Sequence, residues 1–373
     1  MGMITNRARF CALAAVLMSA ALAVACSTQG ASPPESIAGE GAQGSDGKAR
    51  EASEPISRIE TGYLGTVISI AIYDQDFDGP RAEALLDECF EAIEGIDGRM
   101  SVNSESSEVS EINRNSGGDY TFVSDELYGL IEEAIAFSER SGGAFDISVG
   151  PVMDLWKVGG EFARLPSPEE VQEKLPLVGY GMIELMPPNG VRLPSQGMKL
   201  DLGAIAKGYA CDRVTAALRD AGIRHAIVDM GGNIYVVGSK PDGTDWRVGI
   251  RTPLVGESGI VCSLSLSDAT AVTSGGYENF FEEGGRLYNH LIDTKTGYPA
   301  DSGLLSVTVV ASSSGGADGY STSCFILGLE QGMALLQGAG LEGVFITEDK
   351  EIYVTPGLEG AVKIVDERFV MAQ

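Results

Sequence analysis

The stretch from Ser27 to Arg58, STQGASPPESIAGEGAQGSDGKAREASEPISR, is small and polar, with no periodic apolar face. It cannot bury enough surface to offset the entropy of ordering it. Any folded body must therefore come from residues 59–373, a length that supports one large core or two intimately packed ones. The polar stretch reads as a flexible tether, residues 26–58.

What lies before the tether explains why one is needed. Arg7 and Arg9 form a basic start, and the apolar run CALAAVLMSAALAVA covers Cys11 to Ala25. A bilayer-spanning helix needs about 20 apolar residues, so this run is short for one and suits a signal peptide, residues 1–25. Ala23-Val24-Ala25-Cys26 places small residues ahead of a cysteine, the pattern of a lipoprotein signal in which Cys26 is lipidated. Ordinary secretion is the alternative. The reading implies an enzyme or binder held by lipid on the extracytoplasmic side of a cell membrane.

A net charge of −27 argues against a nucleic-acid partner and against unaided adsorption to anionic lipid. Cys89, Cys211, Cys262 and Cys324 show no CxxC spacing and sit among apolar or small residues, which predicts buried free thiols. With only His225 and His290 available, a histidine-rich zinc site is excluded.

Periodicity predicts a strand over 64–73 and helices over 81–96, 124–142 and 168–174. A hairpin is expected over 181–195 and a helix over 205–221. Strands follow near 225–229, 233–238, 246–250, 259–266, 287–292 and 304–310, then a helical region over 317–339 and a strand at 343–347. This irregular alternation favours α+β, with mixed and antiparallel sheets and packed helices, over a doubly wound parallel sheet.

Four stretches place isolated charges among glycines. In Asp201-Leu202-Gly203-Ala204-Ile205-Ala206-Lys207-Gly208, a turn leads into a helix whose free N–H groups suit a phosphate. Lys207 falls in the first helical turn, where a cation is unfavourable unless an anion is bound there; a surface helix with a solvated lysine is the alternative. In SGGAFDISVGP (141–151), Asp146 stands between Phe145 and Ile147 and needs a partner if buried. It could accept from a ligand's ring N–H or ribose hydroxyl, with a nearby aromatic stacking on a flavin or purine. The third set is Thr273-Ser274-Gly275-Gly276-Tyr277 with Tyr288-Asn289-His290-Leu291-Ile292-Asp293. In the fourth, Asp318 and Thr322 lie one helical turn apart, and carboxylate plus hydroxyl suits Mg²⁺, which usually keeps substrate phosphate among its ligands.

Together these motifs resemble those of the ApbE-type FAD:protein FMN transferases, also described as thiamine-biosynthesis lipoproteins. The matching segments are LGT (64–66), MS (100–101), SEVSEIN (107–113), SGGAFDISVGPVMDLW (141–156), DLGAIAKGYACD (201–212), DMGGNIYVVG (229–238), TSGGYE (273–278), YNHLIDTKTG (288–297) and ADGYST (317–322). They run in family order and make residues 59–373 one transferase domain. Leu64 stands where the family often has Met, Leu291 where it has Ile, and Thr294 where it has Pro; none of these removes a chemical group.

The resemblance implies an ApbE-like fold with an FAD cleft between subdomains, FAD as substrate and Mg²⁺ as cofactor. It implies Asp318, Thr322 and the Ala204 carbonyl as metal ligands. Lys207 is expected beside the FAD diphosphate. Leu64, Ser101, Gly143, Asp146, Asp229, Gly231, Gly232, Thr273, Ser274 and Gly275 are expected around the cofactor. His290 resembles the base near the transferred phosphoryl group, with a core role as the alternative, whereas His225 reads as structural. Asp293 could orient His290 or help hold metal, and the spacing does not choose. The implied reaction moves FMN from FAD to a Thr or Ser hydroxyl of a partner and releases AMP. The implied acceptors are extracytoplasmic flavin-carrying subunits of electron-transfer complexes. FAD hydrolysis to FMN and AMP, or flavin binding without chemistry by a surface lipoprotein, are the rivals.

Overall fold

The computed structural model describes residues 54–372; the signal peptide, Cys26 and nearly all of the expected tether lie outside them. Strand β1 (Ile56–Tyr63) pairs antiparallel with β2 (Thr66–Ile72), so ordered structure begins three residues before the expected domain start. Helices α1 (Gly79–Met100) and α2 (Glu108–Arg114), strand β3 (Thr121–Phe122), and helices α3 (Asp125–Arg140), α4 (Gly150–Trp156) and α5 (Pro168–Lys174) follow. The hairpin β4 (Glu184–Met186) and β5 (Gly190–Arg192) precedes α6 (Ala206–Asp220). Next come β6 (Ala226–Met230), β7 (Asn233–Val237), β8 (Trp246–Arg251), β9 (Ile260–Leu266) and β10 (Ala269–Gly275). Short strands β11 (Phe280–Glu283), β12 (Arg286–Asn289), β13 (Ile292–Asp293) and β14 (Tyr298–Pro299) lead to β15 (Leu304–Ala311) and α7 (Ser314–Ala339). The chain closes with β16 (Glu342–Thr347), β17 (Glu351–Val354), β18 (Val362–Ile364) and β19 (Val370–Met371).

Nine strands form one sheet in the order β1-β2-β6-β7-β10-β15-β16-β17-β19, antiparallel at every pairing except β17 with β19. The α+β expectation holds. Ile68, Ile70 and Ile72 on β2 bury alternate positions, as a strand with one face on the core requires. Helix α1 buries Leu86, Phe90 and Ile93, which recur at helical spacing, in the same core. Residues 54–372 form a single compact unit.

Strand β10 was not anticipated, because ATAVTSG lacks large apolar residues; its place between β7 and β15 decides its conformation. Helices α2 and α4 were too short for a periodic signal. Helix α7 starts three residues before the expected 317 and lies in the core against α6, β10 and β15, with Asp318 and Thr322 in its first turns. The approach of α6 to α7 is close enough that a Cβ on Gly208 would fall 2.3 Å from the Ser314 carbonyl oxygen. That position requires glycine. Each of Cys89, Cys211, Cys262 and Cys324 is a buried free thiol, as expected.

Candidate active site

The start of α6 is irregular in an informative way. Gly208 is the third residue of α6, so its N–H is among those a helix start leaves without an intrahelical partner. Here it donates to Asp318 Oδ2 on α7 at 3.0 Å, and no hydrogen bond to the Ala204 carbonyl is found among the described residues. Lys207, in the first turn as expected, donates to the Gly203 carbonyl at 3.3 Å and keeps Nζ 3.8 Å from Asp318 Oδ2. Asp318 is 3% exposed, and its pKa is raised by burial against the lowering effect of Lys207. Lys207, Asn233 and the Gly208 N–H all favour the charged carboxylate, yet burial outweighs them, which suits an added cation.

Thr322 follows Asp318 by one turn, and its Oγ1 lies 3.3 Å from Ser274 Oγ, which also meets Ser321 Oγ at 2.8 Å. The Thr273 hydroxyl pairs with that of Thr308 at 2.8 Å, so Thr273 and Ser274 turn their side chains into the protein and Gly275 ends the strand. Among the described residues no group of three or more His, Cys, Asp or Glu gathers around a metal position. A set of one carboxylate, one hydroxyl and one carbonyl is a different pattern and matches the oxygen chemistry of Mg²⁺.

Opposite α6, Asp229 Oδ1 accepts from the Gly231 and Gly232 N–H groups at 2.9 and 3.4 Å, fixing the β6–β7 turn. Gly231 has φ +66°, and a Cβ there would collide with Thr66 Oγ1 at 1.7 Å. The LGT turn and the DMGG turn are thus locked together. Asp97 ties in two more positions: its Oδ1 accepts from the Leu64 N–H at 3.1 Å, and its carbonyl accepts from the Ser101 N–H at 3.0 Å.

Three further groups hold contacts that the sequence does not reveal. Asp146 accepts from the Ser148 N–H (2.8 Å) and hydroxyl (2.6 Å) and from the Tyr180 N–H (2.8 Å). It thereby ties its own loop to Tyr180, which also packs beside Gly143. Trp156 and Phe145 are buried, Trp156 among Tyr288 and Tyr298. Asp293 accepts from the Lys295 N–H and the Thr296 hydroxyl, so it braces its own turn rather than His290. Gly143 does join the far wall, its carbonyl accepting from the Thr294 hydroxyl.

His290 is half-buried; its N–H donates to the Asn279 carbonyl at 3.1 Å, and Nδ1 lies 3.3 Å from the same oxygen. A proton on Nδ1 leaves the Nε2 lone pair open. Burial and the Lys207 charge lower its pKa to about 4, so it is neutral at pH 7. His225 is structural: its N–H reaches Asp74 Oδ2 and its Nδ1 meets the Ser239 carbonyl. The residue the sequence reading passed over is Glu278, inside the quoted TSGGYE segment. It reaches solvent, yet the surrounding protein raises its pKa to about 7, with Lys207 opposing and Asp318 reinforcing the rise. A cavity of about 690 Å³ lies beyond Gly276 and Tyr277, lined also by Tyr288 and Asn289; it borders this cluster without containing Lys207, Asp318 or His290.

Residues 64–345 match the ApbE family. The chain belongs to the ApbE family. Relatives of this ApbE-family chain include the FAD:protein FMN transferase of Treponema pallidum (strain Nichols), 35% identical over 352 residues, covering 90% of this chain and 95% of the relative. The FAD:protein FMN transferase of Klebsiella pneumoniae (strain 342) is 33% identical over 294 residues, covering 78% and 89%. Among solved structures, the ApbE protein of Thermotoga maritima MSB8 superposes with a TM-score of 0.75 at 30% identity, covering 83% of this chain and 99% of that one. The flavin transferase ApbE from Vibrio cholerae gives 0.73 at 28% identity, covering 82% and 99%.

Proposed function

We propose that this ApbE-family enzyme transfers FMN from FAD to a Thr or Ser hydroxyl of a partner protein, with AMP as the leaving group. The observation that carries the reading is the start of α6, where Gly208 donates to Asp318 and the Ala204 carbonyl accepts no hydrogen bond among the described residues. Asp318, Thr322 and that carbonyl would hold Mg²⁺. The ion would supply Lewis-acid stabilisation of the diphosphate oxygens. Lys207 adds positive charge on the same side and offsets charge that gathers as the bridging P–O bond lengthens. His290 offers Nε2 to the attacking hydroxyl and sets its direction, while the paired turns at Leu64–Thr66 and Asp229–Gly232 shape the opposite wall for FAD.

Lipidation at Cys26 would hold the enzyme on the extracytoplasmic face, with the tether letting it reach flavin-carrying subunits of electron-transfer complexes in the same membrane. No helix among the described residues is long and apolar enough to cross a membrane. The test is intact mass spectrometry of a candidate acceptor domain incubated with the full-length chain, FAD and Mg²⁺. A metal-dependent gain of one FMN with release of AMP supports transfer. Free FMN and AMP beside an unmodified acceptor point to hydrolysis, and unchanged FAD overturns the reading.

A further inference from the structure

Strands β11 and β12 are joined by Gly284-Gly285, both at positive φ (+63° and +80°), a two-residue turn that fixes a tight antiparallel register. Glu283 faces Arg286, and Glu282 faces Leu287. Next to such a turn the first pair is hydrogen-bonded and the second is not, so Leu287 directs its N–H and carbonyl away from β11. Among the described residues β12 pairs with no other strand. Five consecutive residues, Gly285 to Asn289, line the cavity of about 690 Å³, whereas Phe280–Glu283 of β11 do not. Side chains alternate between the faces of a strand, so an unbroken run of lining residues means that the cavity follows the free edge of β12. Leu165, Val255 and Leu287, three exposed apolar side chains from separate segments, stand around this one cavity. Single exposed apolar residues are ordinary, but a cluster marks a contact surface. The inner end of the cavity reaches the candidate site. A Cβ on Gly276 would stand 3.4 Å from Asn289 Nδ2 and 3.5 Å from Phe325 Cζ, so the segments following Gly275, preceding His290 and following Thr322 meet there.

We propose that this groove receives the acceptor protein as an extended segment added to the free edge of β12. The inference rests on the transferase reading, which requires a polypeptide hydroxyl at the site, and it names the surface that delivers one. Backbone hydrogen bonds to Leu287 hold the segment whatever its sequence, and Leu165 and Val255 favour apolar side chains beside the pairing positions. Arg286 and Asp301, paired at 2.9 Å, form part of a polar rim around that apolar floor. A strand advances about 3.4 Å per residue, so a segment paired at Leu287 brings a Thr or Ser three residues further on, roughly 10 Å, to His290. Lys207, Asp318 and His290 do not line the cavity, so the docked segment stays clear of the diphosphate position and only its hydroxyl side chain enters.

The test follows FMN transfer by intact mass spectrometry, using the full-length chain, FAD, Mg²⁺ and the acceptor domain that the wild-type chain modifies, at varied acceptor concentration. Leu287→Pro removes the outward N–H without removing a β11 bond. Val255→Asp sets a charge in the apolar wall at an exposed position, and it decides alone if circular dichroism shows Leu287→Pro unfolded. Each variant is expected to raise the acceptor KM about 10- to 100-fold, the scale of a lost interface anchor. Turnover at saturating acceptor and FAD affinity, read by flavin fluorescence, should stay within about threefold. Phe122→Asp, also exposed but outside the cavity, should keep the wild-type KM. A wild-type KM in folded Leu287→Pro overturns strand addition, and a wild-type KM in Val255→Asp as well overturns the docking surface. Weakened FAD binding at unchanged acceptor KM would make the groove a flavin subsite, and a changed oligomeric state at unchanged KM a contact between copies; either overturns the proposal. A wild-type chain that transfers FMN to no acceptor overturns the transferase reading and this surface with it.

Discussion

Helices α6 and α7 begin side by side, and they satisfy their N-termini to different extents. At α7, Asp212 accepts from the Ser314 N–H (2.7 Å), the Gly315 N–H (2.9 Å) and the Ser313 hydroxyl (2.8 Å), and Ser313 accepts from the Gly316 N–H. At α6, Ile205 provides no side-chain cap, the first turn carries no acidic residue, and it does carry Lys207. The first arrangement is that of a helix stabilised for its own sake. The second has a single carboxylate contact, from the Gly208 N–H to Asp318, and keeps Lys207 in its first turn.

That contrast can be broken most forcefully at Asp318. Asp318→Asn keeps the shape and the capacity to accept from Gly208 but removes the charge, and we expect FAD turnover to fall about 10³-fold. Circular dichroism should show the fold intact, and turnover within tenfold of wild type would contradict the metal assignment. Lys207→Gln should weaken FAD binding about 10- to 100-fold, the scale of a lost hydrogen bond to a charged group. Asp212→Ala should do the reverse: a loss of about 1–2 kcal/mol in urea denaturation, the scale of a lost cap, with FAD affinity unchanged. If the two variants exchanged phenotypes, the division between a structural and a functional helix start would be lost.

The same contrast explains what could be read from the sequence. Lys207 was legible because a cation in a first turn breaks a local rule, and Asp318 with Thr322 because their spacing puts both on one helical face. Ser124, at the start of the helix expected over 124–142, caps α3, its hydroxyl accepting from the Leu127 N–H. Partnerships across the chain were not. Asp146, Asp229 and Asp293 looked alike as lone acids among glycines, and only the fold shows their hydrogen bonds to nearby backbone. Glu278 had the opposite fate. It reads as an ordinary exposed acid, and its shifted pKa comes from a setting that includes Lys207 and Asp318, both distant in sequence. Strand β10 was missed because its small residues conform to neighbours on both sides.

The smallest effect expected is also the most diagnostic of the cleft, because Glu278 and His290 should pull the pH dependence of stability in opposite directions. Although Glu278 reaches solvent, the protein packed around it raises its pKa from an ordinary 4.5 to about 7. Between those values the folded state keeps a proton that the unfolded state has released, so this contribution is full below 4.5 and is lost as pH rises through 7. Burial lowers His290 from 6.5 to about 4, so the unfolded state holds the extra proton, and this contribution is full above 6.5 and is lost as pH falls toward 4. Across pH 4.5–6.5 the two partly cancel. Urea denaturation of the ligand-free chain over that window should give a shallow slope from this pair, steeper upward with pH in Glu278→Gln and turned downward in His290→Gln. Identical slopes in all three proteins would mean that neither group is desolvated by the cleft walls, and the case for an enclosed reaction site would fall with them.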